Sequence, residues 1–119
     1  MATVYILDDD SSLLLVLQIL LSTHNYRVAT FTNSKDLYHA ISLVIPDLII
    51  LDVRLSEKED GKLVCTKLKQ EHKYTNKVYL FSASPVVQAE IQKCGADGYI
   101  EKPFGINLFM DTIKQALAE

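Results

Sequence analysis

The stretch Pro46 to Arg54, PDLIILDVR, limits what this chain can fold into more than any other segment. Four consecutive apolar residues, Leu48 to Leu51, follow a proline and run into a lone carboxylate at Asp52. A run that short, rich in Ile and Leu and without polar alternation, predicts a central strand buried on both faces. Asp52 then falls at the carboxyl end of that strand, which is the edge where open α/β sheets bind their ligands.

The rest of the chain supplies the layers such a strand needs. Thr3 to Leu7 (TVYIL) reads as a strand ending at Asp8, Asp9 and Asp10, after which Ser11 and Ser12 offer an N-cap for a helix from about Ser12 to Thr23. On that helix Leu13, Val16, Leu17, Leu20 and Leu21 have core spacing, which leaves Leu14, Leu15 and Ile19 on the outer side. Asn25 turns the chain into a strand at Tyr26 to Phe31, and Ser34 caps a helix with Leu37, Ile41 and Val44 on one face, stopped by Pro46. After Asp52 and the polar stretch Leu55 to Glu59, Asp60 and Gly61 open a helix that carries Val64, Cys65 and Leu68. Lys77 to Ala83 is a fourth strand, Ser84 and Pro85 begin a short helix, and Gly95 ends it. Tyr99 and Ile100 lie in a fifth strand finishing at Lys102 and Pro103, and Ile106, Phe109, Met110, Ile113 and Leu117 mark the inner face of a last helix. Five strands alternating with five helices predict an α/β fold with a parallel sheet and helices on both faces.

Length and charge narrow the function. At 119 residues with 49% hydrophobic content, residues 1–119 form a single domain with a real core. Net charge is -3 and the basic residues are scattered, which argues against nucleic acid as a direct partner. Cys65 and Cys94 lack metal-ligand spacing and read as buried thiols in a reducing compartment. The most apolar segment, Leu13 to Leu21, is broken by Gln18, is too short to span a bilayer and follows three aspartates instead of a basic leader. A cytoplasmic protein without a membrane partner is expected.

In a parallel sheet the residues just past the strands share one rim, so Asp8, Asp9, Asp10, Asp52, Ser82 and Lys102 become neighbours. Clustered carboxylates repel one another, and a hard cation such as magnesium held by Asp9 and Asp52 relieves that repulsion. The same cation neutralises phosphoryl oxygens, while the Ser82 hydroxyl and the Lys102 ammonium supply a donor and a point charge. Phosphoryl transfer is the reaction class that uses all of these together.

With YILDDD, DLIILDVRL, LFSAS and GADGYIEKPF in place, the chain resembles the receiver domains of two-component response regulators over essentially its whole length. The resemblance implies a flavodoxin-like sheet of order 2-1-3-4-5. It implies Asp52 as phospho-acceptor, Asp9 as a direct magnesium ligand, Asp8 as a ligand through water and the Arg54 carbonyl as a further ligand. Ser82 and Tyr99 become the switch pair, Lys102 contacts the phosphate, and the bond between Lys102 and Pro103 is expected to be cis. The chain departs from the family in having Ser56 where a proline is usual and Asp60-Gly61 one residue late, which lengthens the loop after the acceptor. It also has a segment from Ser82 to Gly95 about two residues short, and Ser82 where threonine is commoner.

The function expected is that of a stand-alone receiver, a switch more than an enzyme. It takes a phosphoryl group from a histidine kinase or histidine phosphotransfer protein and signals to an unidentified downstream protein, as a monomer or weak dimer. One alternative is a phosphatase resembling the haloacid dehalogenase superfamily, with Asp8 as nucleophile and Asp10 as acid. Against it, the chain has no acidic pair after Lys102 and leaves Asp52 without a role. The other alternative is a phosphorylation-independent interaction module, which has no physical need for the complete set of rim residues.

Overall fold

The structure, a computed structural model, describes residues 1–55, 59–83, 88–102 and 105–118. Five parallel strands form one sheet in the order β2-β1-β3-β4-β5. They are β1 (Thr3–Leu7), β2 (Arg27–Phe31), β3 (Leu48–Asp52), β4 (Lys77–Ser82) and β5 (Gly98–Glu101). The helices between and after them are α1 (Ser11–Thr23), α2 (Ser34–Leu43), α3 (Gly61–Gln70), α4 (Gln88–Cys94) and α5 (Ile106–Leu117). No helix among the described residues is long and apolar enough to cross a membrane.

All of β3 is buried, as its uninterrupted apolar run predicts, because both faces of the sheet are covered. Side chains that alternate along the strands feed two separate cores. Tyr5, Leu7, Ile49, Leu51, Val78 and Leu80 pack with α2, α3 and α4. Val4, Ile6, Leu48, Ile50, Phe81 and Ile100 pack with α1 and α5. Asp52 is thus fixed at the end of the central strand of the sheet, with a helix layer above and below.

Helix starts follow side-chain chemistry, though not always the residue that the sequence suggested. Asp10, not Ser11 or Ser12, caps α1, its Oδ1 accepting from the backbone N–H groups of Ser12 at 3.0 Å and Leu13 at 3.1 Å. That start sets the inward stripe of α1 as Leu14, Leu17 and Leu21. Leu14 therefore belongs to the core and Val16 does not, reversing the expected assignment of both. The outward apolar face is Leu15, Val16 and Ile19, each 58–60% exposed. Likewise Asn33, not Ser34, caps α2, accepting from the Asp36 N–H at 2.9 Å. Val44 is exposed just beyond α2, and Ile106 is exposed at the first position of α5, where it precedes the buried stripe of Phe109, Met110, Ile113 and Ala116. The positions proposed for the Ser84-Pro85 cap, for Ser56 and for a cis bond to Pro103 lie outside the described residues.

Gly61 is where the fold has least tolerance. It opens α3 directly against the end of β3, so that a Cβ there would lie 2.1 Å from the Asp52 carbonyl oxygen. No side chain fits that approach. Gly95 closes α4 with φ 86°, a left-handed conformation in which its N–H reaches back to the carbonyls of Ile91 and Gln92.

Candidate phosphoryl-transfer and metal site

Sheet hydrogen bonding continues past the strands and fixes the rim. The Asp8 N–H donates to Phe31 O at 3.0 Å, Val53 N–H to Phe81 O at 2.8 Å, and Lys102 N–H to Ser82 O at 2.7 Å. Asp8, Asp52, Ser82 and Lys102 are thus held by backbone before any side-chain contact forms. Asp52, Arg54, Ser82, Ala83 and Lys102 line a cavity of about 180 Å³ at this rim. Larger grooves lie elsewhere among the described residues, between α1 and the end of β2, at the opposite rim and between α3 and α4, but none of these gathers more than one carboxylate around a lysine.

The three consecutive aspartates divide into distinct tasks. Asp8 is fully buried, with Oδ1 accepting from the Asp10 N–H at 2.9 Å and Oδ2 from Lys102 Nζ at 2.8 Å. Asp9 is exposed beside it. Asp10 is occupied in capping α1. Lys102 Nζ reaches Asp52 Oδ1 as well, at 3.4 Å, and lies 4.9 Å from the centre of the Phe81 ring, a favourable place for a cation.

These surroundings set the charges. Burial above all, and then the Asp8 charge, push the Asp52 carboxyl from its ordinary 3.8 up to about 6, against the pull of Lys102 and of the Arg54 backbone N–H. Burial draws Lys102 down, but its hydrogen bond to Asp8 and the charges of Asp52 and Asp8 outweigh that and leave it raised. The ammonium is therefore charged at neutral pH, and Asp52 is a carboxylate of raised basicity that is still mostly ionised.

Asp8, Asp9 and Asp52 each offer an oxygen, and these atoms lie within 4.8 Å of one another. Three hard, anionic donors at that separation suit a magnesium ion, with Arg54 on the same cavity. Of the residues singled out in the sequence, Asp8, Asp9, Asp52, Ser82, Arg54 and Lys102 converge at the rim. Tyr99 does not; it lies on β5, 38% exposed, opposite Leu80 in the register. The backbone approach that demands glycine at position 61 and the contact between Ser34 and Glu59 were not identified from sequence. The first depends on a close backbone approach, and the second joins residues 25 positions apart in sequence.

A doubly covered parallel sheet whose carboxyl rim gathers buried aspartates, a hydroxyl and a lysine defines a phosphoryl-handling α/β domain. The chain matches the family model described as the response regulator receiver domain over residues 4–114, and it belongs to that family. It is 28% identical over 116 residues to the DNA-binding transcriptional regulator NtrC of Escherichia coli K12, a match covering 97% of this chain and 24% of that protein. The chain thus spans about a quarter of that relative's length, and DNA binding is stated of the longer protein. Among solved structures it is similar to the Vibrio cholerae chemotaxis protein CheY4, at 22% identity and a TM-score of 0.91, covering 98% of this chain and 99% of that one. It is similar also to the response regulator TrrA of Thermotoga maritima in complex with Mg(2+)-BeF, at 22% identity and a TM-score of 0.85, covering 98% and 100%. The flavodoxin-like order 2-1-3-4-5 is the one observed.

Proposed function

We propose that Asp52 accepts a phosphoryl group from a phosphohistidine of a histidine kinase or phosphotransfer protein, and that the aspartyl phosphate then alters a protein-binding surface. The observation that carries this reading is the convergence of Asp52, Asp8 and Lys102, with Lys102 Nζ 2.8 Å from Asp8 and 3.4 Å from Asp52. In the transfer a carboxylate oxygen of Asp52 forms a bond to phosphorus while the phosphorus–nitrogen bond to the donor imidazole breaks, its electron pair returning to the ring. Asp9, Asp52 and the Arg54 carbonyl, with Asp8 through water, would hold a magnesium ion, which when bound would supply positive charge to the phosphoryl oxygens. Lys102 supplies a positive charge already in place, and Ser82, at the end of β4, supplies a hydroxyl to a phosphoryl oxygen. Water later cleaves the acyl phosphate slowly, returning Asp52 to the carboxylate.

The Ser82 hydroxyl, drawn toward the phosphoryl group, vacates space beside β4 into which the Tyr99 ring turns from its half-exposed position. The surface of α4, β5 and α5 is the output face in this reading, and the partner there is a protein. We place the reaction in the cytoplasm, in a receiver domain that acts as a monomer or weak dimer. The haloacid dehalogenase alternative gains no support, since Asp10, its required acid, is occupied in capping α1.

The test is phosphotransfer from purified, phosphorylated histidine kinases of the same organism. Rapid labelling by at least one donor, dependent on magnesium and abolished in Asp52→Asn, is the expected result. Failure of every phosphohistidine donor and of a small phosphoryl donor to label the parent contradicts the proposal.

A further inference from the structure

The chain that leaves β3 at Asp52 is closed at its base before α3 begins. Arg54 pairs antiparallel with Asp60, and the Gly61 N–H donates to Val53 O at 2.9 Å. Two side chains hold the described limbs beyond that base. Leu55 is 1% exposed in the core shared with α2 and α3. Glu59 accepts a hydrogen bond through Oε2 from the Ser34 hydroxyl of α2.

Asn33 already caps α2, so the Ser34 hydroxyl is not needed to start that helix. One turn along, burial above all, and then the charges of Glu59 and Glu71, raise the Tyr38 hydroxyl above the ordinary 10.0, against the opposing pull of Ser34. The Tyr38 ring in turn stacks on His72, just past α3, with centroids 4.4 Å apart and planes 14° from parallel. One face of α2 therefore grips the chain on both sides of α3. From that face a contiguous path runs through Ser34, Glu59, Asp60 and Arg54 to Asp52.

We propose that the Ser34–Glu59 hydrogen bond is a positioning contact for the metal and phosphoryl site. By holding the limb that pairs with Arg54, it fixes the Arg54 backbone relative to Asp52. The inference rests on the function proposed above for Arg54 and Asp52, and it adds two residues that touch neither metal nor phosphate. A hydrogen bond to a charged acceptor is stronger than a neutral one, and supports behind metal ligands typically change affinity by about 10- to 100-fold when lost. A contact one step further out is expected to act at the lower end of that range.

The experiment uses the whole chain in four variants: Ser34→Ala, Glu59→Gln, the double variant, and Ser34→Thr, which keeps the hydroxyl. Magnesium affinity is measured by calorimetry without any phosphoryl donor, and hydrogen exchange of the Gly61 amide is measured without metal. Ser34→Ala changes no charge, so its effect reports position and not field. Both single variants are expected to weaken magnesium binding by up to about tenfold and to speed Gly61 exchange. The double variant is expected to be no worse than the weaker single, and Ser34→Thr to match the parent. Parent-like affinity and exchange in both singles, or losses that multiply in the double, would overturn the proposal. If the parent itself binds no magnesium, the proposed function fails, and Gly61 exchange alone still decides whether the contact holds the limb.

Discussion

Lys102 gives its shorter hydrogen bond to Asp8, at 2.8 Å, and only a longer one, at 3.4 Å, to Asp52. Without metal, the lysine chiefly compensates the fully buried Asp8 and leaves Asp52 the less satisfied of the two carboxylates. The acceptor is thereby kept basic while the charge needed by a phosphoryl group waits within reach. Lys102→Ala should strand two buried carboxylates and cost about 3 kcal/mol at neutral pH in the absence of metal. Magnesium should return part of that loss. Urea unfolding of parent and variant, with and without magnesium, checks both statements, and a metal-free variant as stable as the parent would contradict them.

The raised Asp52 carboxyl has a consequence for stability. A carboxyl whose folded value is above its unfolded value favours the fold fully below the unfolded value, and that contribution is lost as pH rises through the folded one. For Asp52 the window lies between the ordinary 3.8 and about 6. Asp52→Asn removes the ionisation, so the metal-free variant should exceed the parent in stability at neutral pH by about 3 kcal/mol. The gap should close as the pH falls toward the ordinary carboxylate range. Unfolding curves across that range are the measurement; a gap independent of pH would show that Asp52 is not the titrating group.

The exposed face of α1, made by Leu15, Val16 and Ile19, is the surface we assign to the phosphodonor's helices. Leu15→Lys should slow phosphotransfer from the protein donor at least several-fold while leaving labelling by a small phosphoryl donor unchanged, since the rim is untouched. Equal rates from the protein donor would remove this face from the account.

Tyr99 tests the output step. Tyr99→Ala should leave magnesium-dependent phosphorylation of Asp52 intact, because the residue lies away from the rim cavity. It should also reduce the phosphorylation-dependent amide shifts across α4, β5 and the start of α5. Shifts as large as in the parent would make Tyr99 an ordinary strand residue.

Much of this was legible in the sequence because the signals were local. The apolar run of β3 and the acidic, hydroxyl and basic residues at strand ends need only strand direction to become neighbours. The inner face of α1 was harder, because Leu13 to Leu21 is apolar at every position but Gln18 and offers little periodic contrast. There the choice between Leu14 and Val16 depends on where the Asp10 cap starts the helix. The demand for glycine at position 61 arises from a backbone contact with Asp52, and the pairing of Ser34 with Glu59 arises from how α2 lies against the segment before α3. Neither leaves a pattern along the chain.

The central claim is that Asp52 is the acceptor, and the position of the phosphoryl group tests it most directly. The protein is labelled with a small phosphoryl donor and magnesium, reduced with borohydride to convert an acyl phosphate to homoserine, and its peptides are weighed. The account predicts conversion at Asp52 alone, absent from Asp52→Asn and retained in Asp10→Asn. Conversion at Asp8, or none in the parent, would contradict it.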